Sequence, residues 1–224
     1  MSLTSLRYLL SFSLYVFAYV SFSATGFMAF SLVCYVYLFV PLLELISQPN
    51  KTSVSVDEEK SLKTSRIYDY MVFLVVPCQY LILIYFFQSY SSCVNQIDKI
   101  AYIISMGVMS AHAINVAHEL GHRFHYFDRF LSKILLLTTL NTHFFIEHNR
   151  GHHKRVGTLE DPATARKNET VYQFILRSMF FGYLSAWKLE ISRLKSIGVR
   201  GTLLFGLKNE MTQFTIVQSI FLFA

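Results

Sequence analysis

Charge is scarce in this sequence: 15% of its 224 residues are Asp, Glu, Lys or Arg, against 53% hydrophobic and 16% aromatic. So little polar side chain excludes an ordinary soluble domain of this length and points to a membrane protein. Cysteine is sparse too: Cys34, Cys78 and Cys93 form no CxxC pair, which excludes a cysteine metal module within the chain and a disulfide framework. Internal repeats and low-complexity tracts are absent. The N-terminus also lacks a short apolar core followed by a small-residue cleavage site, so the first apolar run reads as a retained helix rather than a signal peptide.

What is present is long apolar runs. Tyr8 to Leu43 carries no charged side chain; that is too long for one crossing of a core about 30 Å thick but suits a hairpin of two helices turning near Ser23-Ala24-Thr25-Gly26. Tyr70 to Ile97 and Ile100 to Ala117 are also free of charge, giving four candidate spans. Gln48–Asp69, rich in Ser, Thr, Lys and Glu, is the one clear linker. Beyond the fourth span the pattern turns amphipathic. Ile134–Ile146 is too short to span and is expected to pack or re-enter at the membrane surface, and Tyr172–Lys195 reads as an interfacial helix. Met211–Ala224 reads as the start of a fifth span, as if the sequence were the N-terminal part of a longer chain. The expected fold is all-α: a polytopic membrane helix bundle of four full transmembrane helices, interfacial helices and that partial fifth span, all in a single membrane-embedded domain over 1–224.

Charge asymmetry orients the bundle. Residues 1–116 hold six Lys/Arg and six Asp/Glu, whereas residues 117–208 hold fourteen and seven, so the region after the fourth span faces the cytoplasm by the positive-inside rule. The linker with Lys51, Lys60, Lys63 and Arg66 then lies inside, the Ser91–Lys99 connection outside, and Arg7 puts the N-terminus inside. A basic face recruiting anionic lipid would produce the same excess.

Five of the eight histidines fall into two clusters, His118-Glu119-Leu120-Gly121-His122 and the run EHNRGHH from Glu147 to His153. Neutral imidazole is a strong ligand for iron, zinc, copper and nickel. Residues four apart share a face of an α-helix, so His118 with His122, and His148 with His152, are expected to pair, with His153 rotated by roughly 100°. Five imidazoles exceed what one tetrahedral zinc requires, and a two-metal site follows. Glu119, Glu147 and Asp161 are candidates to orient ring N–H groups, or else balance Arg123, Arg150 and Arg155. Arg150, Lys154 and Arg155 form a basic patch suited to an acidic electron donor. His112 is expected as a hydrogen-bonded core residue, and His125 and His143 in supporting or surface roles.

HExxH alone is also the zinc peptidase signature, with the glutamate as general base. Its extended form needs Gly at position 125 and His or Asp at 128; the sequence has His125 and Asp128, and that reading leaves the second cluster without a purpose. A non-enzymatic membrane subunit is a third reading.

The strings NVAHELGHR (Asn115–Arg123) and HFFIEHNRGHHKRVGTLEDPATAR (His143–Arg166) strongly resemble the membrane alkane 1-monooxygenases, within the histidine-box desaturase-like superfamily. The similarity runs from Pro41-Leu42-Leu43-Glu44 to Trp187-Lys188-Leu189-Glu190. Xylene monooxygenase components are similar, whereas desaturases and fatty acid hydroxylases space their second box HxxHH. The resemblance implies a di-iron centre on the cytoplasmic side of the inner membrane with His118, His122, His148, His152 and His153 as ligands. It further implies O2 as co-substrate, rubredoxin with its NADH-dependent reductase as electron donor, a hydrophobic alkane as substrate, and no nucleic-acid partner. That family carries further histidines in an HYG-type motif and a third box, which this sequence lacks. The 224-residue chain alone is therefore expected to bind iron incompletely and to form no octan-1-ol from octane.

Overall fold

The structure, a computed structural model, describes residues 9–47, 65–199, 201 and 206–223. These are helical without a strand. Residues 48–64 of the expected linker lie outside the described residues, as does Arg7, while Ile67 to Asp69 already belong to a helix.

The first apolar run folds as the expected hairpin. Helix α1 (Leu9–Ser23) and helix α2 (Gly26–Ile46) are joined through Ala24 and Thr25. Gly26 has φ +62°, a left-handed conformation that glycine adopts without steric cost. Within α2 a π-helical stretch, Tyr35–Phe39, precedes Pro41; proline has no N–H for the helical ladder, and its ring displaces the turn before it. Helices α3 (Ile67–Ser92) and α4 (Gln96–His122) follow. Three helices, α2, α3 and α4, are long and apolar enough to cross a membrane, while α1 is shorter over its described residues. With the helical architecture, they make this a multi-pass membrane protein.

Two compact units divide the chain, Met1–Val116 and Ala117–Ala224. In the first, polar side chains fasten the hairpin: Asp98, 1% exposed, accepts from the Gly26 amide at 2.8 Å, and the Tyr102 hydroxyl donates to the Ala24 carbonyl at 2.8 Å. His112 differs from expectation. It packs edge-on against Tyr15, ring centroids 5.8 Å apart, and its buried Nε2 has no hydrogen-bond partner among the described residues.

The second unit begins in the last turns of α4 and contains helix α5 (Tyr126–Leu137), helix α6 (residues 144–155), helix α7 (Val171–Ser196) and helix α8 (Glu210–Phe223). The run Ile134–Ile146 is not one segment. The Thr138 and Thr139 hydroxyls bond back to the Leu135 and Leu136 carbonyls, competing with the backbone ladder, and Leu140 at φ +53° turns the chain. Helix α7 matches the expected interfacial helix, opened by a reciprocal Thr170–Gln173 capping box that satisfies two otherwise orphan donors. The Ser132 hydroxyl donates to the Ala117 carbonyl at 2.6 Å, fixing α5 against the end of α4.

Asp98→Ala removes the carboxylate that ties the Gly26 amide to α4 and is expected to lower stability by about 1–3 kcal/mol. An unchanged thermal unfolding midpoint in detergent would contradict this role.

Candidate metal centre

The last turn of α4 presents His118 and His122 together, ring centroids 4.6 Å apart. Gly121 between them lets α5 and α6 approach: a Cβ there would lie 3.2 Å from the Ser132 hydroxyl and 3.7 Å from the Phe145 ring. Across that gap α6 brings His148, its ring 4.3 Å from His118 and stacked on Phe144 at 4.7 Å.

Helix α6 is not α-helical throughout. Glu147–His152 forms a π-helical stretch, in which residues five apart come into register. His148 therefore meets His153, with Nε2 atoms 3.0 Å apart, and not His152 as the four-residue spacing implied. His122 Nε2 closes a triangle at 3.1 Å from His148 and 3.3 Å from His153. One ligand nitrogen from each of His118, His122, His148 and His153 fits in a group whose members all lie within 4.8 Å of one another.

His152 lies beside this group, stacked on His148 with centroids 5.3 Å apart. Its Nδ1 meets the Asp161 carboxylate at 2.9 Å. Asp161 is 1% exposed; burial alone would raise its pKa, but hydrogen bonds from Thr164, the Ala163 amide and His152 outweigh it and hold the carboxyl below its ordinary range. An ionised Asp161 requires the proton on His152 Nδ1 and leaves the lone pair on Nε2, the arrangement by which carboxylates fix the tautomer of metal-binding histidines.

A triangle of three imidazole nitrogens cannot alternate donor and acceptor. At least one edge must set lone pair against lone pair, or N–H against N–H. A cation within the group removes the conflict, and spacings of 3.0–3.3 Å match those between ligands at about 2.1 Å from one metal. The pKa of His148 is pushed down to about 3, first by burial and then by the neighbouring imidazoles. It is therefore neutral at pH 7, the form that binds metal. The residues present fit a metal ion.

The acidic candidates divide. Asp161 alone reaches a ring. Glu119, its side chain 66% exposed, is drawn to Arg123 at 3.9 Å, four residues on and just past the end of α4. Glu147 is buried and accepts from Arg155 at 2.9 Å, Ser185 at 2.8 Å and the His152 amide at 3.2 Å. Burial pushes its carboxyl pKa up, while those same contacts pull it down; the net direction is upward. It braces the π-helical stretch rather than an imidazole.

The basic patch divides as well. Arg150 turns inward to Glu190 at 2.8 Å and Glu210 at 2.7 Å, and Arg155 to Glu147. Of the expected docking residues only Lys154 is exposed. His125 is exposed and accepts from the Phe127 amide at the start of α5. His143 packs edge-on to Tyr183, its pKa pushed down to about 4 by burial. Ser185, Glu190 and Glu210 were missed from the sequence; Glu190, the one acid in α7, was the available signal.

A model of the fatty acid desaturase family matches residues 99–223. Alkane 1-monooxygenase 1 of Alcanivorax borkumensis is 35% identical over 178 residues, 79% of this chain and 43% of that protein. The alkane 1-monooxygenase of Ectopseudomonas oleovorans is 34% identical over 81% of this chain and 45% of its own length. That of Acinetobacter baylyi is 37% identical over 72% and 40%. The chain thus spans less than half the length of these relatives.

Gly151 carries the closest packing constraint: a Cβ there would sit 2.5 Å from Glu147 Oε1 and 2.6 Å from Arg155 Nη2. Gly151→Ala must displace that buried pair and is expected to cost about 1–3 kcal/mol, whereas at Gly182 a Cβ meets nothing within 4 Å and Gly182→Ala should be neutral or stabilising. Thermal unfolding of the two variants compares them, and equal effects would refute the packing account.

Proposed function

The chain belongs to the fatty acid desaturase family, and on that premise we propose that it is a membrane di-iron monooxygenase that hydroxylates the terminal methyl of alkanes. The observation that carries the reading is the convergence of His118, His122, His148 and His153 from two helices on one small volume. The alkane 1-monooxygenases to which the chain is similar give the substrate class.

His118, His122, His148 and His153 would hold iron, and His152, its tautomer set by Asp161 so that Nε2 keeps its lone pair, would be a further ligand. When bound, iron supplies what no side chain can, the activation of O2 for attack on an unactivated C–H bond. The balance is alkane, O2, two electrons and two protons to 1-alkanol and water, with the electrons from rubredoxin and its NADH-dependent reductase. A saturated alkane offers nothing to hydrogen-bond, so only a shaped apolar surface can hold it; α2, α3 and α4 supply such surface. The chain's own residues bind and orient. Asp161 keeps its neighbouring ring from turning, and burial keeps His148 free of a competing proton. The excess of Lys and Arg after α4 supports a centre on the cytoplasmic face of the inner membrane, with exposed Lys154 available to an acidic donor.

The zinc peptidase reading needs Glu119 beside a metal-bound water, and that residue pairs with Arg123 instead.

Membranes holding the protein as its gene encodes it, supplied with octane, O2 and reduced rubredoxin, are expected to yield octan-1-ol and about two irons per chain. Zinc at one per chain with peptide cleavage would overturn the assignment. Asp161→Asn should weaken metal binding by about 10–100-fold, and His153→Ala should abolish one iron, while His125→Ala retains both. Equal iron content in all three by elemental analysis would remove these residues from the site.

A further inference from the structure

A cavity of about 690 Å³ lies between α5, α6, α7 and α8, in the second unit, and contains none of the proposed iron ligands. Four cations line it: Arg129, Lys133, Arg150 and Arg193. Two carboxylates serve three of them. Glu210 accepts from Lys133 at 2.7 Å and from Arg150 at 2.7 Å, and Glu190, fully buried, accepts from Arg150 at 2.8 Å and from Arg193 at 2.6 Å. Arg129 is exposed and has no carboxylate partner among the described residues; its guanidinium lies over the Phe145 ring at 5.2 Å. Four positive charges against two negative leave an excess of two beside a hydrocarbon wall. That wall is Phe130, Ile134, Leu137, Phe214 and Val217.

We propose that this cavity binds one anionic phospholipid, its phosphate on Arg129 and its neighbours and an acyl chain along the apolar wall. Guanidinium pairs with phosphate through two parallel hydrogen bonds. A zwitterionic choline lipid carries no net charge and would leave the excess of two uncompensated. A free phosphate would leave the wall uncovered. A bilayer lipid satisfies both halves, and the bilayer is at hand: Phe124, Tyr126, Phe127 and Phe130 at the start of α5 are all exposed, at 102%, 84%, 47% and 46%. Aromatic rings so placed sit at headgroup depth, and basic pockets between helices at that depth recognise anionic headgroups. The inference rests on charge and lining alone and is independent of the iron chemistry.

Native mass spectrometry and thermal unfolding of the purified protein in neutral detergent test it. Phosphatidylglycerol is expected to be retained at one per chain and to raise the unfolding midpoint; phosphatidylcholine of the same acyl chains and inorganic phosphate are not. Arg129→Gln should weaken phosphatidylglycerol binding about tenfold and lower the lipid-free midpoint by no more than the loss of its contact with the Phe145 ring, because Arg129 makes no ion pair among the described residues, and Arg129→Lys should recover part of the loss. Equal retention of the choline lipid, equal protection by inorganic phosphate or by a free fatty acid, or an Arg129→Gln variant that binds phosphatidylglycerol normally would each overturn the proposal.

Discussion

Three imidazole nitrogens held 3.0–3.3 Å apart are the constraint from which the rest of the second unit follows. Such a group cannot satisfy itself by hydrogen bonding and gains nothing from burial, so the surrounding frame must impose it. The frame is visible. Ser132 ties α5 to the end of α4, Gly121 removes the Cβ that would hold α6 away, and Glu147, with Arg155 and Ser185, holds the π-helical stretch that turns His153 toward His148. Each device acts on the backbone that carries an imidazole.

Around this frame runs a chain of ion pairs from Lys133 through Glu210, Arg150 and Glu190 to Arg193, joining α5, α6, α7 and α8. An isolated buried pair adds little net stability, but removing one partner strands a charge. Alternation of cation and acid along the chain means that no helix of the four shifts register without stranding one. The same arrangement leaves positive charge in excess on the cavity side, so the support of the histidine segment and the anion-seeking surface behind it come from one set of residues.

Much of this was legible in the sequence, where the signal is local. Uninterrupted apolar runs marked the long helices, the Ser23–Gly26 stretch marked the hairpin turn, and change of pattern marked α7. The two histidine clusters were legible because imidazole is rare and the spacing tight. The pairing within the second cluster was not: a spacing of four implies an α-helical face, and only the π-helical stretch, enforced by the distant Ser185, makes five the effective repeat. Nor was the fate of Arg150 and Arg155, which look like a surface patch in a row of charges and turn inward, Arg150 to acids 40 and 60 residues away and Arg155 to Glu147 and the hydroxyl of Ser185, 30 residues away. His112 shows the converse, a polar group in an apolar run whose neighbours were expected to include an acceptor. Ion pairing and hydrogen bonding at long range depend on which faces meet, and periodicity does not carry that.

The central claim is that imidazoles from α4 and α6 share metal. X-ray absorption at the iron edge of the iron-loaded protein reads it directly. The account predicts a first shell dominated by nitrogen at about 2.1 Å with the outer-shell scattering of at least three imidazole rings per iron, diminished when His148 is replaced. A shell of oxygen or sulfur without imidazole scattering, or a spectrum unchanged by His148→Ala, would contradict it.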